Sequence, residues 1–315
     1  MRNVLITGGT GYLGRALARR LLHFTDVERI CVLSRGEYAQ AMMRSEFEST
    51  LAILNPAARM RWFIGDVRDL DRMCRAMQGV DTVIHTAALK RVEVGEYNPT
   101  EMVHTNVHGA INVVRAAELA GVKRVVGISS DKACEPVNCY GATKLTMEKL
   151  FLAASTDEGE GGPSFSVCRY GNVAGSTGSV IPTWRAIIKS GGTARMTDPE
   201  CTRFWMRLDQ AVDLVMWTTR QMRGGETVVP ILPVYRLGDL AEAMGVRFTA
   251  TGMGAGEKHD ETMIAPHESA DFRLLEPYLV RGGWGVYGCR PVGIQKVTPR
   301  RMSVEDLRTA LREVA

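Results

Sequence analysis

A short polar stretch, Ser130-Asp131-Lys132, precedes Tyr140 and Lys144, and these residue types could supply an acid, a base and a proton relay. Tyr140 and Lys144 are four positions apart, which is about one helical turn, so their side chains share a helix face. An ammonium beside a phenol favours the phenolate, which predicts a pKa for Tyr140 below its usual value of about 10. Such a tyrosine could exchange a proton with a hydroxyl group while a hydride leaves the same carbon. Taken alone, the pair also fits an ordinary surface helix.

A glycine-rich turn near the N-terminus indicates where a cofactor could bind. Residues 3–14 read NVLITGGTGYLG, an apolar run that favours a strand, and a helical pattern follows. Glycines with this spacing let backbone N–H groups and a helix N-terminus contact a pyrophosphate. A tight turn with close helix packing is the alternative. We predict cofactor contacts by Gly8, Thr10, Gly11, Tyr12, Leu13 and Gly14.

The residues after the second predicted strand indicate which dinucleotide fits. Where an NAD-selective fold presents an acidic residue to the ribose, this chain has Ser34 and Arg35. A guanidinium suits a 2'-phosphate, so we predict NADP in preference to NAD, although Arg35 could instead be a solvated charge. Asp66 could accept a hydrogen bond from the adenine amino group. Further predicted cofactor contacts are Val67, Ala87, Ala88, Lys90, Asn106, Tyr140 and Lys144.

Several blocks of sequence resemble one enzyme family. TGGTGYLG, FIGDVRDL, HTAALKRVEVGEYNPTE, SSDKACEPVNCYGATKLTMEKLF and RYGNVAGSTGSVIP follow the order of the extended short-chain dehydrogenase/reductases. Within that family the chain is similar to the inverting UDP-N-acetylglucosamine 4,6-dehydratases. The similarity runs from residue 3 to about 215 and resumes in GEKHDETMI and MSVEDLRTALREV. It implies a nucleotide-sugar substrate, tightly bound NADP and a hydro-lyase reaction in polysaccharide or flagellin-sugar biosynthesis.

Such a dehydration needs an acid and a base beside the tyrosine and lysine. Oxidation of C4 to a ketone makes the C5 hydrogen acidic, so the C6 hydroxyl can leave before the hydride returns to C6. The resemblance implies Lys132 as the C5 base, with a pKa lowered by burial, and Asp131 as the acid for the C6 hydroxyl. Ser130 would bond the C4 oxygen. The alternatives are an Asp-Lys ion pair that caps a loop, and a serine bonded to its own backbone.

The resemblance also places substrate contacts mainly in the second half of the chain. Any one of these charged residues could instead be a solvated surface charge. The chain departs from the family where Thr177 and Gly254 replace arginines and Cys201 replaces a methionine. Because a diphosphate binds less well without an arginine, the nucleotide carrier stays open. The predicted substrate contacts are Lys90, Arg169, Asn172, Arg203, Glu257 and Lys258.

Strands alternate with helices to about residue 175, which predicts an α/β fold: a Rossmann-type doubly wound parallel sheet with a smaller C-terminal substrate-binding lobe. We assign 1–175 to the NADP-binding domain, with 203–229 returning to it, and 176–202 and 230–315 to the lobe. The first strand begins at residue 3, and no apolar run approaches the roughly 18 to 20 residues of a membrane helix. We therefore expect a cytoplasmic protein with no secretory signal.

Composition and charge limit the partners. The 315 residues carry seven cysteines without a CxxC pair or Cys/His cluster, so we expect reduced thiols and no metal site. The net charge of +4 is dispersed, which argues against a nucleic-acid surface and suits an anionic sugar nucleotide. The family resemblance implies a homo-oligomer.

Four functions fit the sequence. The first is the inverting dehydratase acting on UDP-N-acetylglucosamine or a close relative. A nucleotide-sugar 4-epimerase would need Tyr140 and Lys144 but not the Asp131-Lys132 pair. A 5,6-dehydratase would stop at the alkene or take an unusual nucleotide sugar. A non-catalytic NADP-binding protein is the fourth, and the complete set of reactive residues argues against it.

Overall fold

The computed structural model describes residues 1–55, 58–157, 161–282 and 299–314. Its central strands are runs of Val, Ile and Leu that are buried on both faces, as expected in a parallel sheet covered by helices. The strands are β1 (Asn3–Thr7), β2 (Arg29–Ser34), β3 (Arg59–Ile64), β4 (Thr82–His85), β5 (Arg124–Ile128), β6 (Ser164–Cys168), β7 (Ala194–Met196), β8 (Thr202–Phe204), β9 (Thr227–Pro230), β10 (Val234–Arg236), β11 (Phe248–Ala250), β12 (Arg273–Leu275) and β13 (Tyr278–Arg281).

Helices connect most of these strands. They are α1 (Tyr12–Leu21), α2 (Glu37–Leu54), α3 (Leu70–Met77), α4 (Val92–Tyr97), α5 (Pro99–Val103), α6 (Gly109–Ala120), α7 (Cys139–Asp157), α8 (Val180–Lys189), α9 (Leu208–Gln221), α10 (Leu237–Met244) and α11 (Val304–Arg312). A π-helical turn, His104–His108, joins α5 to α6, and a 3-10 turn, Asp131–Ala133, follows β5.

Within the described part of the chain, nine strands form the main sheet in the order β12-β13-β9-β6-β5-β4-β1-β2-β3. The strands from β3 across to β9 are parallel, and β13 and β12 extend the edge in antiparallel fashion. The parallel order 3-2-1-4-5-6 is that of a dinucleotide-binding fold. The predicted Rossmann-type sheet is therefore confirmed.

Two apolar cores cover the faces of the sheet. One lies under α1 and α9 and includes Leu17, Val212 and Val215, while the other lies under α3, α6 and α7 and includes Val113 and Phe151. The segment 203–229 was predicted to return to the nucleotide domain, and its helix α9 packs on α1, β5 and β6.

A third apolar core belongs to a smaller unit made by α8, α10, α11 and two short two-stranded sheets, β7 with β11 and β8 with β10. Residues 273–281 differ from the predicted boundaries. They form β12 and β13 in the main sheet because their backbones pair with the free edge of β9, whereas the prediction placed all of 230–315 in the lobe.

Candidate active site

The glycine-rich turn between β1 and α1 is a close-packed cradle at the carboxyl edge of the sheet. Gly8 has φ +64, a conformation that favours glycine, and a Cβ there would lie 2.9 Å from the Ala87 backbone. A Cβ on Gly14 would lie 2.6 Å from the Gly9 Cα atom. The N-terminus of α1 begins immediately after Gly11, which supplies no capping side chain. This arrangement fits a pyrophosphate group held by backbone N–H groups.

A cleft of about 500 Å³ begins at this cradle and reaches the N-terminal half of α7. Every predicted cofactor contact except Asn106 lines it, and so do Ser130 and Lys132. The cleft lies at the carboxyl ends of β1, β4 and β5, where ligands bind in doubly wound sheets. The sequence-predicted residues of the turn and of the reactive stretch are thus brought together in one space.

At one end of the cleft, Arg35 has a side chain that is 59% exposed, and its Nη1 atom lies 3.9 Å from Asp66 Oδ2. Arg68 binds the same carboxylate more closely, because its Nε and Nη2 atoms donate to Asp66 Oδ2 at 2.9 and 2.7 Å. Burial alone would raise the pKa of Asp66, but the bonds and charge of Arg68, with Arg35, lower it. Asp66 therefore lines the cleft as a carboxylate, and Arg35 is the cation with the looser contact.

Asn106 lies in the π-helical turn and does not line the cleft, which differs from its prediction as a cofactor contact. Its amide bonds both backbone groups of Leu89, with N–O distances of 2.8 and 2.9 Å, and also donates to Thr143 Oγ1 at 3.0 Å. Thr143 immediately precedes Lys144 on α7. Asn106 thus ties the loop after β4 to the reactive helix.

Tyr140 and Lys144 share one face of α7, but their charges are not coupled as predicted. Lys144 Nζ donates to the Ile128 carbonyl oxygen at 2.6 Å. Burial lowers the pKa of Lys144 to about 8, and the Glu148 carboxylate opposes this shift. Burial also raises the pKa of Tyr140, partly opposed by a hydrogen bond with Ser130. The predicted lowering of the Tyr140 pKa is therefore wrong for this structure, because desolvation of the phenolate outweighs the Ser130 hydrogen bond and the positive charge of Lys132.

Asp131 and Lys132 lie beside Tyr140 in the 3-10 turn after β5. Lys132 Nζ lies 3.3 Å from Asp131 Oδ1 and 2.8 Å from Glu261 Oε1, and both carboxylates are almost fully buried. Burial alone would lower the pKa of Lys132, but the two carboxylates outweigh it and raise the pKa. The lowered pKa predicted for Lys132 is thus wrong in this state. The Lys132 side chain is an ammonium at neutral pH.

Arg169 was predicted to contact substrate, and the structure corrects this assignment. Its guanidinium is 1% exposed and bonds Glu148 and Glu268, with closest N–O distances of 2.6 and 2.7 Å. A further N–H group donates to the Met263 carbonyl oxygen at 2.9 Å. Burying a cation is costly unless it is paired, and two carboxylates pair this one. Arg169 therefore connects α7, β6 and the segment after β11 beneath the cleft.

A second pocket of about 310 Å³ shares Asn172 and Val173 with the cleft. Arg203 and Glu257, two of the predicted substrate contacts, line it together with Arg195 and four aromatic side chains. Lys258 lies elsewhere, because its ammonium donates to the Cys134 carbonyl oxygen at 2.6 Å. Cys201 is buried, with its sulfur 3.5 Å from the Met253 sulfur. The arginines and aromatic side chains of this pocket could hold a molecule with one anionic part and one apolar part.

Two residues of the site have no counterpart in the sequence-based prediction. Glu261 is near in sequence to the GEK block, but its contact with Lys132 spans more than a hundred positions. Arg195 stands in GGTARMTD, with no pattern around it that marks a ligand contact. Within the described ranges, no group of His, Cys, Asp and Glu side chains could hold a metal ion, and no helix is long and apolar enough to cross a membrane.

The doubly wound sheet, the glycine cradle and the Tyr140–Lys144 pair in one cleft define an extended short-chain dehydrogenase/reductase. The chain belongs to the family described as polysaccharide biosynthesis protein, whose model matches residues 4–281. It is 44% identical over 271 residues to a protein of Campylobacter jejuni subsp. jejuni serotype O:2 named UDP-N-acetylglucosamine 4,6-dehydratase (inverting), covering 85% of this chain and 79% of the relative.

Other similar proteins carry different names. A Rickettsia bellii protein named UDP-glucose 4-epimerase is 38% identical over 286 residues, covering 88% of this chain and 82% of the relative. The solved structure of Pen from Bacillus thuringiensis superposes with a TM-score of 0.91 at 36% identity, covering 99% of this chain and 97% of that one. The predicted family is confirmed, and the names of these similar proteins cover more than one reaction on nucleotide sugars.

Proposed function

We propose that this protein is an NADP-dependent nucleotide-sugar 4,6-dehydratase that acts on UDP-N-acetylglucosamine or a close relative and inverts C5. The observation that carries this proposal is Lys132, which lines the cleft with Tyr140 and pairs with the buried Asp131. An epimerase needs a proton relay at C4 alone, whereas a dehydratase also needs an acid and a base at C5 and C6. The similarity to the Campylobacter dehydratase supports the same reaction.

The cradle residues fit a nicotinamide dinucleotide. Gly8 and Gly14 leave the space that a Cβ would fill, and the α1 N-terminus faces the same space. Arg35 would bind the 2'-phosphate of NADP, because its guanidinium has only a long contact with Asp66. When bound, the cofactor would take a hydride from C4 and later return it to C6.

The reactive side chains divide the proton transfers among themselves. Tyr140, in its phenolate form, would take the proton of the C4 hydroxyl, and Ser130, whose hydrogen bond favours that form, would orient the C4 oxygen. Lys132 would remove the C5 proton. Asp131 would take this proton from Lys132 through Oδ1, which lies 3.3 Å from Lys132 Nζ. It would then protonate the departing C6 hydroxyl through Oδ2, which is buried and has no hydrogen-bond partner among the described residues. A Cβ on Gly171 would lie 3.3 Å from this oxygen, so glycine keeps the approach to it open.

The second pocket would hold the nucleotide diphosphate. Arg195 and Arg203 bring two cations to its lining. These cations compensate for the two family arginines that are missing where this chain has Thr177 and Gly254. Trp184 and Trp205 provide apolar surface in the same pocket. We therefore retain UDP-N-acetylglucosamine as the first substrate to test.

The 4-epimerase is the second candidate, supported by the similarity to the Rickettsia protein. Replacing the lysine of the pair, Lys132→Gln, separates the two functions. Loss of the C5 base should reduce water elimination about 100-fold or more, while C4 oxidation continues. Lys123→Gln, at an exposed lysine, is the matched control. A Lys132→Gln enzyme that releases water at the wild-type rate would contradict the proposal. A C4 epimer as the sole product of the wild-type enzyme would favour the epimerase.

A further inference from the structure

A carboxylate that the mechanism above does not use lies against the proposed C5 base. Glu261 Oε1 is 2.8 Å from Lys132 Nζ, closer than the 3.3 Å to Asp131. The Glu261 side chain is 3% exposed, and its second oxygen, Oε2, is buried without a hydrogen-bond partner among the described residues. A buried carboxylate with one oxygen unpaired is costly unless it has a task that needs this arrangement.

Other charged and titratable groups face Lys132 from the elements around it. Asp131 is its neighbour in the 3-10 turn, Tyr140 comes from α7, Arg203 from β8 and Tyr235 from β10. Arg203 is a permanent cation and cannot accept a proton. Tyr235 keeps its proton at neutral pH because burial raises its pKa to about 12. Tyr140 is already assigned to the proton of the C4 hydroxyl. Among the described residues, Asp131 and Glu261 are thus the acceptors beside the ammonium, and Asp131 is needed to pass a proton to the C6 hydroxyl.

The segment that carries Glu261 is fixed on both sides. Before it, the Thr202 backbone N–H donates to the His259 carbonyl oxygen at 3.1 Å. After it, the buried Arg169 guanidinium donates to the Met263 carbonyl oxygen at 2.9 Å. Both anchors lie within two residues of Glu261. Its carboxylate is therefore held towards Lys132 by the fold.

We propose that Glu261 is a positioning residue that holds the Lys132 ammonium in the cleft and takes one of its protons before Lys132 acts as the C5 base. The inference rests on the proposed dehydratase function. The step moves one proton: an N–H bond of Lys132 breaks, an O–H bond forms on Glu261, and no electrons are gained or lost. Substrate that fills the cleft excludes water, and a dry site favours the neutral pair over the charged one. Lys132 passes the C5 proton on to Asp131, so it is neutral again and regains its own proton from Glu261 after the product leaves.

Three variants test this role. Glu261→Gln keeps the shape of the side chain but cannot accept the proton, so kcat for dehydration should fall about 100-fold while KM changes little. Glu261→Asp retains a carboxylate and should recover part of kcat. Asp260→Asn, at the exposed neighbouring carboxylate, is the control and should behave as the wild type. A kcat for Glu261→Gln that equals or exceeds the wild-type value would overturn the proposal.

A second readout does not depend on the substrate. The rate at which an amine reagent labels Lys132, followed by mass spectrometry across a pH series, reports the neutral fraction of the amine. In Glu261→Gln this rate should rise about tenfold at a given pH, because the lost negative charge lowers the pKa of Lys132 by about one unit. A loss of kcat without faster labelling would show that Glu261 does not act through Lys132, and would overturn the proposal.

The two readouts also separate this inference from the proposed function. If the wild type does not dehydrate UDP-N-acetylglucosamine, the substrate assignment fails, and the labelling rates alone decide the role of Glu261. Faster labelling in Glu261→Gln would then support its coupling to Lys132, and equal rates would refute it. If Glu261→Gln does not fold, Glu261→Asp provides the same comparison, because its shorter side chain moves the carboxylate away from Nζ.

Discussion

Buried ionisable side chains lie on α7 and at the end of β6, next to the cleft. Lys144, Glu148 and Arg169 are 3%, 2% and 1% exposed. Such groups cost folding free energy unless each charge is paired or its pKa shifts. Arg169 is paired by two carboxylates, whereas Lys144 bonds a carbonyl oxygen and its pKa falls to about 8. Because burial lowers its pKa, Lys144 loses its positive charge just above neutral pH.

Cofactor selection can be tested at one side chain. Arg35→Ala should weaken NADP binding about 10- to 100-fold, because a charge-assisted bond to the 2'-phosphate is lost, and should leave NAD binding nearly unchanged. Arg44→Ala, at an exposed arginine on α2, is the control. Equilibrium titration of each variant with both dinucleotides measures the effect. Equal losses for NADP and NAD would show that Arg35 does not read the 2'-phosphate.

At the scale of elements, the 3-10 turn with Asp131 and Lys132 packs directly on the first turn of α7. Gly141 is the contact point, since a Cβ there would collide with the Lys132 carbonyl oxygen and approach Pro136 Cβ at 3.0 Å. The backbone of the reactive turn therefore lies in direct contact with the backbone of the helix that carries Tyr140. Glycine at this position is a packing requirement of the active site.

Gly141→Ala should therefore displace the reactive turn. We expect a loss of about 1 to 3 kcal/mol of stability from overpacking and a fall in kcat of at least tenfold. Ala142→Gly, at the next and exposed position, costs about 1 kcal/mol of helix propensity without moving the turn. Thermal unfolding and kcat are measured on both. Wild-type turnover by Gly141→Ala would contradict the packing argument.

The elements differ in how far they could be predicted from the sequence. The glycine turn and the one-turn spacing of Tyr140 and Lys144 are local patterns, and the structure has them as expected. Arg169 has the residue type of a phosphate ligand, but its partners Glu148 and Glu268 are distant in sequence. The Lys132–Glu261 contact is also long-range. Burial and pairing of a charge are set by such contacts, which no local spacing encodes.

At the scale of the whole molecule, the same ionic cluster joins the nucleotide-binding half to the C-terminal segment. Glu268 accepts from Arg169 and from Arg281, a residue of the antiparallel edge strand β13. This connection crosses from β6 to the 3-10 turn at Pro266–Asp271. The segment that carries Glu257 and Glu261 is therefore tied to the sheet at its far end. The implied homo-oligomer stays a prediction.

The cluster predicts how stability depends on pH. Burial alone would raise the pKa of Glu268, but Arg169 and Arg281 lower it from 4.5 to about 2. A carboxylate with a lowered folded-state pKa stabilises the protein above its ordinary pKa, and this contribution is lost as the pH falls through the range from 4.5 to about 2. Glu268→Gln should cost about 2 kcal/mol at neutral pH, and its difference from the wild type should shrink across that range.

Urea unfolding at several pH values measures this difference. Glu48→Gln, in an exposed pair with Arg44 on α2, is the control and should change stability little. A penalty for Glu268→Gln that does not vary with pH would show that the lost interaction is not one of charge.

Incubation of the NADP-loaded protein with UDP-N-acetylglucosamine in deuterated water, followed by mass spectrometry and proton NMR, distinguishes a dehydratase from an epimerase. We predict loss of one water, one deuterium at C5 and a 4-keto-6-deoxy sugar with inverted C5, because Lys132 removes the C5 proton and the solvent supplies its replacement. A C4 epimer that retains its water and its C5 hydrogen would contradict the dehydratase assignment.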